Sequence, residues 1–358
     1  MKSRLNRIRG LLEQLNADGI LIWKLANVRY LAGFTGTEGT CLIDAGHALF
    51  LTDSRYIEQA KIQVVPNGFE VVQVRDKVKD LGAKVQELGW KAAAFEDETL
   101  TVAQHQQLSR AVGKTRLVPA GSAVEKLRII KDEQELASIR EAIRVQEEAM
   151  EAVMPRIVAG AAEDAIAFQM EMEMRKRGAS GVSFETIVGS GPRGAMPHGV
   201  ASNKKIKAGE LVVLDWGCIV NGYCSDQTLT VCVGKPADRD AKKVYKVVGQ
   251  AQAAAIAAVR PGVNLSLVDK VARDIINDAG YGATFGHGTG HCLGLEIHEE
   301  PRINQLSTAQ AEVGMVFTVE PGIYLAGRFG VRLEDIVLVT ETGAQKLTSM
   351  AKTWRSTV

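Results

Sequence analysis

Two apolar runs in the second half of the chain each end in a carboxylate side chain. Leu211-Val-Val-Leu214 is followed by Asp215, and Val316-Phe-Thr-Val319 is followed by Glu320. Continuous apolar runs of this kind are typical of strands that are covered on both faces. A buried, isolated carboxylate loses roughly several kcal/mol of hydration, so a stable fold must bring a cation or a metal ion to each position.

Each of these acids is followed by a second acid in another apolar run. Asp226 follows Asp215 across an Asn-Gly pair, and Glu334 follows Glu320 at the end of a short run that begins at Val331. An Asn-Gly pair between two strands is typical of a hairpin turn, which would bring the first two acids together. The repeated arrangement indicates an internal pseudo-two-fold symmetry in this part of the chain.

Four converging carboxylates carry four negative charges, and few basic residues lie close to them in the sequence. Two divalent metal ions would neutralise these charges, and shared carboxylates could bridge the ions at roughly 3.5 to 4 Å. The alternative is four separate acids, each satisfied by a lysine, an arginine or water.

Histidines strengthen the metal-site interpretation. Three of the six histidines fall in the glycine-rich segment from Gly286 to His298, where glycine allows close approach of the backbone to a ligand. We predict that His291 is a metal ligand, and that His287 and His298 are proton shuttles or hydrogen-bond donors to a substrate carbonyl. His198, flanked by proline and glycine, is predicted to lie in a pocket wall.

Composition restricts the partners. The chain has 358 residues, of which 46% are hydrophobic and 24% charged, with a net charge of +1. This length suits about two globular domains. The near-zero charge argues against binding to nucleic acid or to an anionic membrane surface, and no apolar run approaches the roughly 20 residues that span a bilayer.

Cysteine usage predicts the compartment. The five cysteines are odd in number and show no Cys-x-x-Cys spacing, so a disulfide framework or a thiolate zinc site is not expected. Buried, reduced thiols predict a cytoplasmic protein.

The order of apolar patterns predicts an α+β protein of two domains. Residues 1–127 alternate strand-like and helix-like runs, which predicts an N-terminal α/β domain. Pro119-Ala-Gly121 then interrupts the pattern before a long charged helix from about Asp132. We place the boundary near Leu127, so that residues 128–358 form a second domain that contains the acids and histidines.

A dinucleotide-binding loop is the main competing motif. Gly189-Ser-Gly-Pro-Arg-Gly194 fits the pattern Gly-x-Gly-x-x-Gly and follows a predicted strand. Pro192 and Pro197 prevent the helix that should follow such a loop, so we reject a dehydrogenase.

Several segments together resemble the pita-bread metallopeptidases of the Xaa-Pro type, prolidase and aminopeptidase P. The resemblance extends over nearly the whole chain, from Asn27-Val-Arg-Tyr-Leu-Ala-Gly-Phe34 in the first domain to Val331-Arg-Leu-Glu-Asp335 in the second. It implies a creatinase/prolidase-like N-terminal domain and a C-terminal pita-bread catalytic domain with pseudo-two-fold symmetry. It also implies a homodimer.

The resemblance further implies a role for each acid. Asp215 would bind one ion, His291 and Glu320 the other, and Asp226 and Glu334 would bridge them. A hydroxide between the ions would attack the carbonyl of the bond that precedes proline, with Glu320 as general base. Manganese or cobalt suits this donor set, and zinc and iron remain alternatives.

The choice between the two peptidases depends on Arg302. This arginine could bind the C-terminal carboxylate of a dipeptide, as in some prolidases, or it could be an ordinary surface residue. We therefore favour a dipeptidase, His198 and His298 contributing to substrate binding, with aminopeptidase P acting on longer Xaa-Pro peptides as the alternative. Leu229 departs from the family, which usually has arginine there. A non-catalytic binding protein on the same fold is the remaining alternative.

Overall fold

A computed structural model describes residues 2–357. The chain divides into two compact units, Met1–Arg128 and Ile129–Val358. We propose that these units correspond to the predicted domains, residues 1–127 and 128–358. Within residues 2–357, none of the helices is both long enough and apolar enough to cross a lipid bilayer.

The first unit is built on one sheet. Its helices are α1 (Lys2–Leu12), α2 (Leu25–Ala32), α3 (Ile57–Gln63), α4 (Lys77–Glu87), α5 (Val102–Ala111) and α6 (Ala123–Arg128). Its strands are β1 (Gly19–Ile22), β2 (Thr40–Asp44), β3 (Ala48–Thr52), β4 (Glu70–Gln73), β5 (Ala92–Phe95) and β6 (Arg116–Pro119). The strand order is β4-β3-β2-β1-β5-β6. The central strand β1 is buried throughout, in line with its uninterrupted apolar sequence.

The second unit contains four long helices and fourteen strands among the described residues. The helices are α7 (Glu133–Val153), α8 (Glu163–Lys176), α9 (Ala241–Ala258) and α10 (Leu265–Asp278). The strands are β7 (Gly181–Val182), β8 (Ile187–Ser190), β9 (Leu211–Trp216), β10 (Cys218–Val220), β11 (Tyr223–Cys224), β12 (Gln227–Val233), β13 (Gly290–Cys292), β14 (Glu299–Ile303), β15 (Val316–Val319), β16 (Gly322–Leu325), β17 (Phe329–Arg332), β18 (Asp335–Thr340), β19 (Gly343–Lys346) and β20 (Ser356–Thr357).

Two similar halves make up this unit. One half has the sheet β20-β12-β9-β8, and the other has the sheet β14-β13-β15-β18-β19. Helices α7 and α8 pack on the first sheet through residues such as Met150 and Met170, while α9 and α10 pack on the second through Val248 and Ala272. A pair of helices on a largely antiparallel sheet thus occurs twice, as the repeated acids predict.

Local sequence signals set the helix starts and the hairpin turn. Asp132 caps α7 by accepting a hydrogen bond from the backbone N–H of Glu135, whose side chain accepts in return from the Asp132 N–H, which is a capping box. Asn221 and Gly222 adopt φ values of 51° and 83°. Both values lie in the left-handed region that this kind of tight turn requires.

Candidate metal centre

The first hairpin places two of the acids on one side of its sheet. Strand β9 pairs with β12 so that Asp215 lies opposite Thr228. Asp226 precedes Thr228 by two residues, and alternate residues of an extended chain face the same side. Leu229 faces the other side, where it is buried in the core with Leu214. The departure from the family at this position therefore removes no predicted ligand.

The second sheet presents the other two acids in the same manner. Strand β15 ends at Val319 and β18 begins at Asp335, and these two residues lie opposite each other. Glu320 and Glu334 are the adjacent residues just outside the pair. The two sheets are joined here, because Thr228 Oγ1 donates a hydrogen bond to Glu334 Oε2 at 2.7 Å and the Glu334 N–H donates to the Thr228 carbonyl at 3.1 Å.

Asp226, His291 and Glu334 form a tight cluster. Each offers one ligand atom, and these atoms all lie within 4.8 Å of one another. His291 Nε2 is 3.5 Å from Asp226 Oδ2 and 3.5 Å from Glu320 Oε1. Its Nδ1 lies 3.1 Å from the Cys292 carbonyl, so Nδ1 carries the proton and Nε2 turns its lone pair toward the acids.

The electrostatics of the cluster favour its uncharged forms. Burial lowers the pKa of His291 to about 3, so the ring is neutral at pH 7. Burial, together with the neighbouring carboxylates, raises the pKa of Asp226 and of Glu334 well above the usual range. Burial also raises the pKa of Glu320 to about 7. Without a cation, these side chains resist ionisation.

A buried arginine, Arg332, pairs with Asp215, the predicted ligand outside the cluster. This arginine was not predicted from the sequence. Arg332 Nη2 donates to Asp215 Oδ2 at 2.5 Å, and the arginine is only 3% exposed. Its Nε donates to Thr228 Oγ1 at 3.1 Å and its Nη1 to the Tyr324 hydroxyl at 2.9 Å. The signal was present, because Arg332 interrupts an apolar run and a buried cation needs a partner as much as a buried anion does.

The residues present fit a bound divalent metal. Arg332 balances one of the four acidic charges and leaves three. Asp215 Oδ1 and Glu334 Oε1 are buried and accept no hydrogen bond from any described residue, although buried oxygens are normally paired. Carboxylate oxygens with one imidazole nitrogen are the donors that such ions take in proteins.

Two further histidines, His287 and His298, differ in burial and in the contacts that their rings make. Burial lowers the pKa of His287 to about 4. Its Nδ1 lies 2.7 Å from the Gly288 carbonyl and its Nε2 lies 2.8 Å from the Tyr324 hydroxyl, so both ring nitrogens are engaged. The exposed His298 ring meets His291 edge to face, with centroids 4.5 Å apart, and burial of part of the ring lowers its pKa.

One cavity brings all the predicted residues together. It has a volume of about 580 Å³, and its lining includes each residue singled out from the sequence: His198, Asp215, Asp226, His287, His291, His298, Arg302, Glu320 and Glu334. Arg302 lies on β14 opposite His291. Its side chain is 42% exposed and its Nε lies 3.5 Å from Glu300 Oε1, so the guanidinium remains accessible from the cavity.

Paired helices on two sheets, with acids and a histidine from both sheets around one cavity, define a metal-dependent hydrolase of the pita-bread class. Comparison with known families agrees with this class. Residues 137–341 match metallopeptidase family M24, and residues 4–130 match the creatinase/prolidase N-terminal domain. The chain therefore belongs to metallopeptidase family M24.

Relatives of known structure support the assignment over the full chain. An Xaa-Pro dipeptidase from Bacillus anthracis superposes with a TM-score of 0.96 at 40% identity and covers 99% of both chains. An X-Pro aminopeptidase from Thermotoga maritima MSB8 gives a TM-score of 0.90 at 39% identity, over 96% of this chain and 99% of the other. An Xaa-Pro dipeptidase from Pyrococcus furiosus is 35% identical over 353 residues, which are 97% of this chain and 98% of the relative.

Proposed function

We propose that this protein hydrolyses the peptide bond between a first residue, Xaa, and a following proline. The observation that supports this most is the cluster of Asp226, His291 and Glu334, whose buried charges call for metal ions in a chain of family M24. Relatives named as Xaa-Pro peptidases supply the substrate class. Hydrolysis of Leu-Pro and Leu-Pro-Pro with added manganese tests the proposal, and no release of leucine from either would contradict it.

We propose that two divalent ions bind the centre and that Asp215, Asp226, His291, Glu320 and Glu334 would hold them. One nitrogen among oxygen donors suits manganese or cobalt, with zinc and iron as further candidates. When bound, such ions supply Lewis acidity and a water nucleophile of lowered pKa. Mass spectrometry of the metal content of the native protein tests the number of ions, and a single ion per chain would contradict it.

The side chains around the centre are proposed to have different roles in proton transfer and in substrate binding. Glu320 is proposed to accept and return the proton of the attacking water, because its carboxylate lines the cavity and its Oε1 lies 3.5 Å from His291 Nε2 among the predicted ligands. His198 and His298, both exposed on the cavity wall, are proposed to hold the substrate carbonyl and to stabilise its negative charge. His287 is proposed to act through the Tyr324 hydroxyl, which occupies its Nε2.

Arg302 supports a dipeptidase over an aminopeptidase. A guanidinium on the cavity wall can bind the C-terminal carboxylate of a dipeptide in two parallel hydrogen bonds. The aminopeptidase remains the second candidate, since the Thermotoga maritima relative is nearly as similar as the Bacillus anthracis dipeptidase.

Replacing Arg302 by alanine tests this choice. We expect Arg302→Ala to raise KM for Leu-Pro about tenfold or more, the cost of a charge-assisted hydrogen bond, and to change KM for Leu-Pro-Pro much less. Steady-state kinetics on both peptides measure this, with Arg328→Ala as a matched control, because Arg328 pairs with Asp238 at the surface and not in the cavity. Equal effects on both peptides would favour the aminopeptidase.

We infer that the protein works in the cytoplasm as a homodimer. All five cysteines are buried and free, which suits a reducing compartment. The dimer rests on the family resemblance alone, and light scattering of the purified protein measures it directly.

A further inference from the structure

Glu185 is an acid on the cavity wall that the metal centre does not use. It lines the same cavity as the predicted ligands and its side chain is exposed. No residue of the described chain forms an ion pair or a hydrogen bond with its carboxylate. An anionic group that faces a binding cavity without a partner is available to a cationic ligand.

Glu185 lies in the segment between β7 and β8, where the register with the neighbouring strands changes. Val182 lies opposite Cys218, and Ile187 lies opposite Asp215. Four residues therefore separate the pairs on one strand and only two on the other. Extra residues of this kind occur in β-bulges, which are common next to active sites. The extra residues include Phe184 and Glu185, and both line the cavity.

Two side chains of opposite charge, Glu185 and Arg302, line the cavity from different sheets. Arg302 lies beside His291 on the second sheet, whereas Glu185 precedes by two positions the residue opposite Asp215 on the first sheet. A peptide whose C-terminal carboxylate binds at Arg302 therefore directs its first residue toward the wall that carries Glu185. This orientation rests on the proposed cleavage of Xaa-Pro peptides.

The distance of a positive charge from the scissile carbonyl determines whether Glu185 can contact it. The α-amino group is two bonds from the scissile carbonyl and therefore stays close to the predicted metal ligands. Glu185 lies two residues before Ile187, the residue opposite Asp215, and each residue of an extended chain spans about 3.3 Å. A lysine side chain carries its charge on a flexible four-carbon stem, which covers such an additional distance.

We propose that Glu185 binds the cationic side chain of Xaa, so that the site prefers Lys-Pro and Arg-Pro to neutral dipeptides of equal length. Glu185 is then a specificity-determining residue of the first substrate subsite. The carboxylate is open to solvent, so the preference is moderate and depends on ionic strength.

The test compares kcat/KM for Lys-Pro and norleucine-Pro, whose side chains differ in charge but little in length. For the manganese-loaded wild-type protein at low salt, we expect Lys-Pro to be preferred about fivefold, the upper range for an exposed ion pair. Glu185→Gln should bring the ratio close to one, and Glu185→Lys should reverse it. Glu341→Gln, which removes an exposed acid from the turn between β18 and β19, should keep the wild-type ratio.

Any of the following outcomes would overturn the assignment of Glu185 to the side chain of Xaa. A wild-type ratio near one, or a ratio that Glu185→Gln leaves unchanged, removes the assignment of Glu185 while the proposed hydrolysis stands. A loss that is equal for both dipeptides in Glu185→Gln places the carboxylate at the α-amino group instead. If the wild type cleaves neither dipeptide, the proposed function fails and this inference fails with it.

Discussion

Asp215 and the cluster of Asp226, His291 and Glu334 are built from similar strand ends but neutralised differently. At Asp215, the chain supplies its own buried cation, Arg332. At the cluster, the ion-pair partner among the described residues is the neutral imidazole of His291, and burial together with neighbouring acids raises the pKa of Asp226 and Glu334. The difference predicts that the cluster takes an external cation, whereas Asp215 already has an internal one. Changes at the two places should therefore have opposite effects on the stability of the metal-free protein.

The largest effect is expected from loss of a shared ligand. Asp226→Asn should lower kcat/KM about 10³-fold, because metal ions contribute several kcal/mol to the stabilisation of transition-state charge. The same change removes an acid whose ionisation burial and the neighbouring carboxylates oppose, so the metal-free variant should melt at a higher temperature than the metal-free wild type. Metal content, kinetics and melting with and without EDTA measure these effects. A variant that melts lower without metal would contradict the comparison.

Loss of the internal cation should act in the opposite direction. Arg332→Met leaves the Asp215 carboxylate buried without its partner, so the free energy of unfolding of the metal-free protein should fall by about 3–5 kcal/mol. Urea denaturation measures this. Arg328→Met, which breaks a surface ion pair, should cost no more than about 1 kcal/mol.

A double variant sharpens this test. Adding Asp215→Asn to Arg332→Met should recover most of the lost stability, because the unpaired charge is then gone. No recovery would mean that the arginine stabilises the fold by packing and not by neutralising Asp215.

The pH dependence of the metal-free protein follows from the same comparison. Glu320 has an ordinary pKa of 4.5 and a folded pKa of about 7, so between these values the folded state binds more protons than the unfolded state. Its contribution to stability is therefore lost as pH rises through this window. His291, lowered from 6.5 to about 3, acts in the opposite direction below pH 6.5.

Above pH 6.5, the loss of stability that the acids cause is no longer opposed by His291. The raised pKa values of Asp226 and Glu334 extend this loss to higher pH. EDTA-treated protein should thus lose stability from pH 6.5 to pH 8, by at most about 1.4 kcal/mol per pH unit for each group. Manganese-loaded protein should not show this loss. Urea denaturation at several pH values measures both, and equal slopes would argue against a cation requirement at the cluster.

The smallest effect is expected from loss of the Tyr324 hydroxyl, which contacts both Arg332 and His287. Tyr324→Phe removes the hydroxyl that accepts from Arg332 Nη1 and faces His287 Nε2. We expect kcat to fall about tenfold, in the range seen for groups that support a metal site, with KM nearly unchanged and about 1 kcal/mol of stability lost. An unchanged kcat would remove His287 and Tyr324 from the proposed proton transfers.

The four acids could be predicted because a charged residue in or next to an apolar run can be recognised from the sequence of one strand. The start of a helix was also close: the sequence predicts a long helix from about Asp132, and the structure has Glu133–Val153, a difference that is normal at helix ends. Arg332 was missed because it was read as part of an apolar run.

Glu185 could not be found in this way, since its position on the cavity wall depends on a change of register between β7 and β8. Such a change is defined by pairing with strands that are distant in sequence, and local periodicity carries no record of it. The engagement of His287 with Tyr324 is likewise a tertiary contact that spacing alone does not predict.

The hydrogen bond from Thr228 to Glu334 connects residues that are 106 positions apart. Pairings over such long chain segments form late, because the entropy of closing the loop must be overcome first. During synthesis, the donor set is therefore incomplete until the last strands have left the ribosome. Metal capture then becomes one of the final steps of maturation, and shortened chains that end before Glu334 cannot complete the centre.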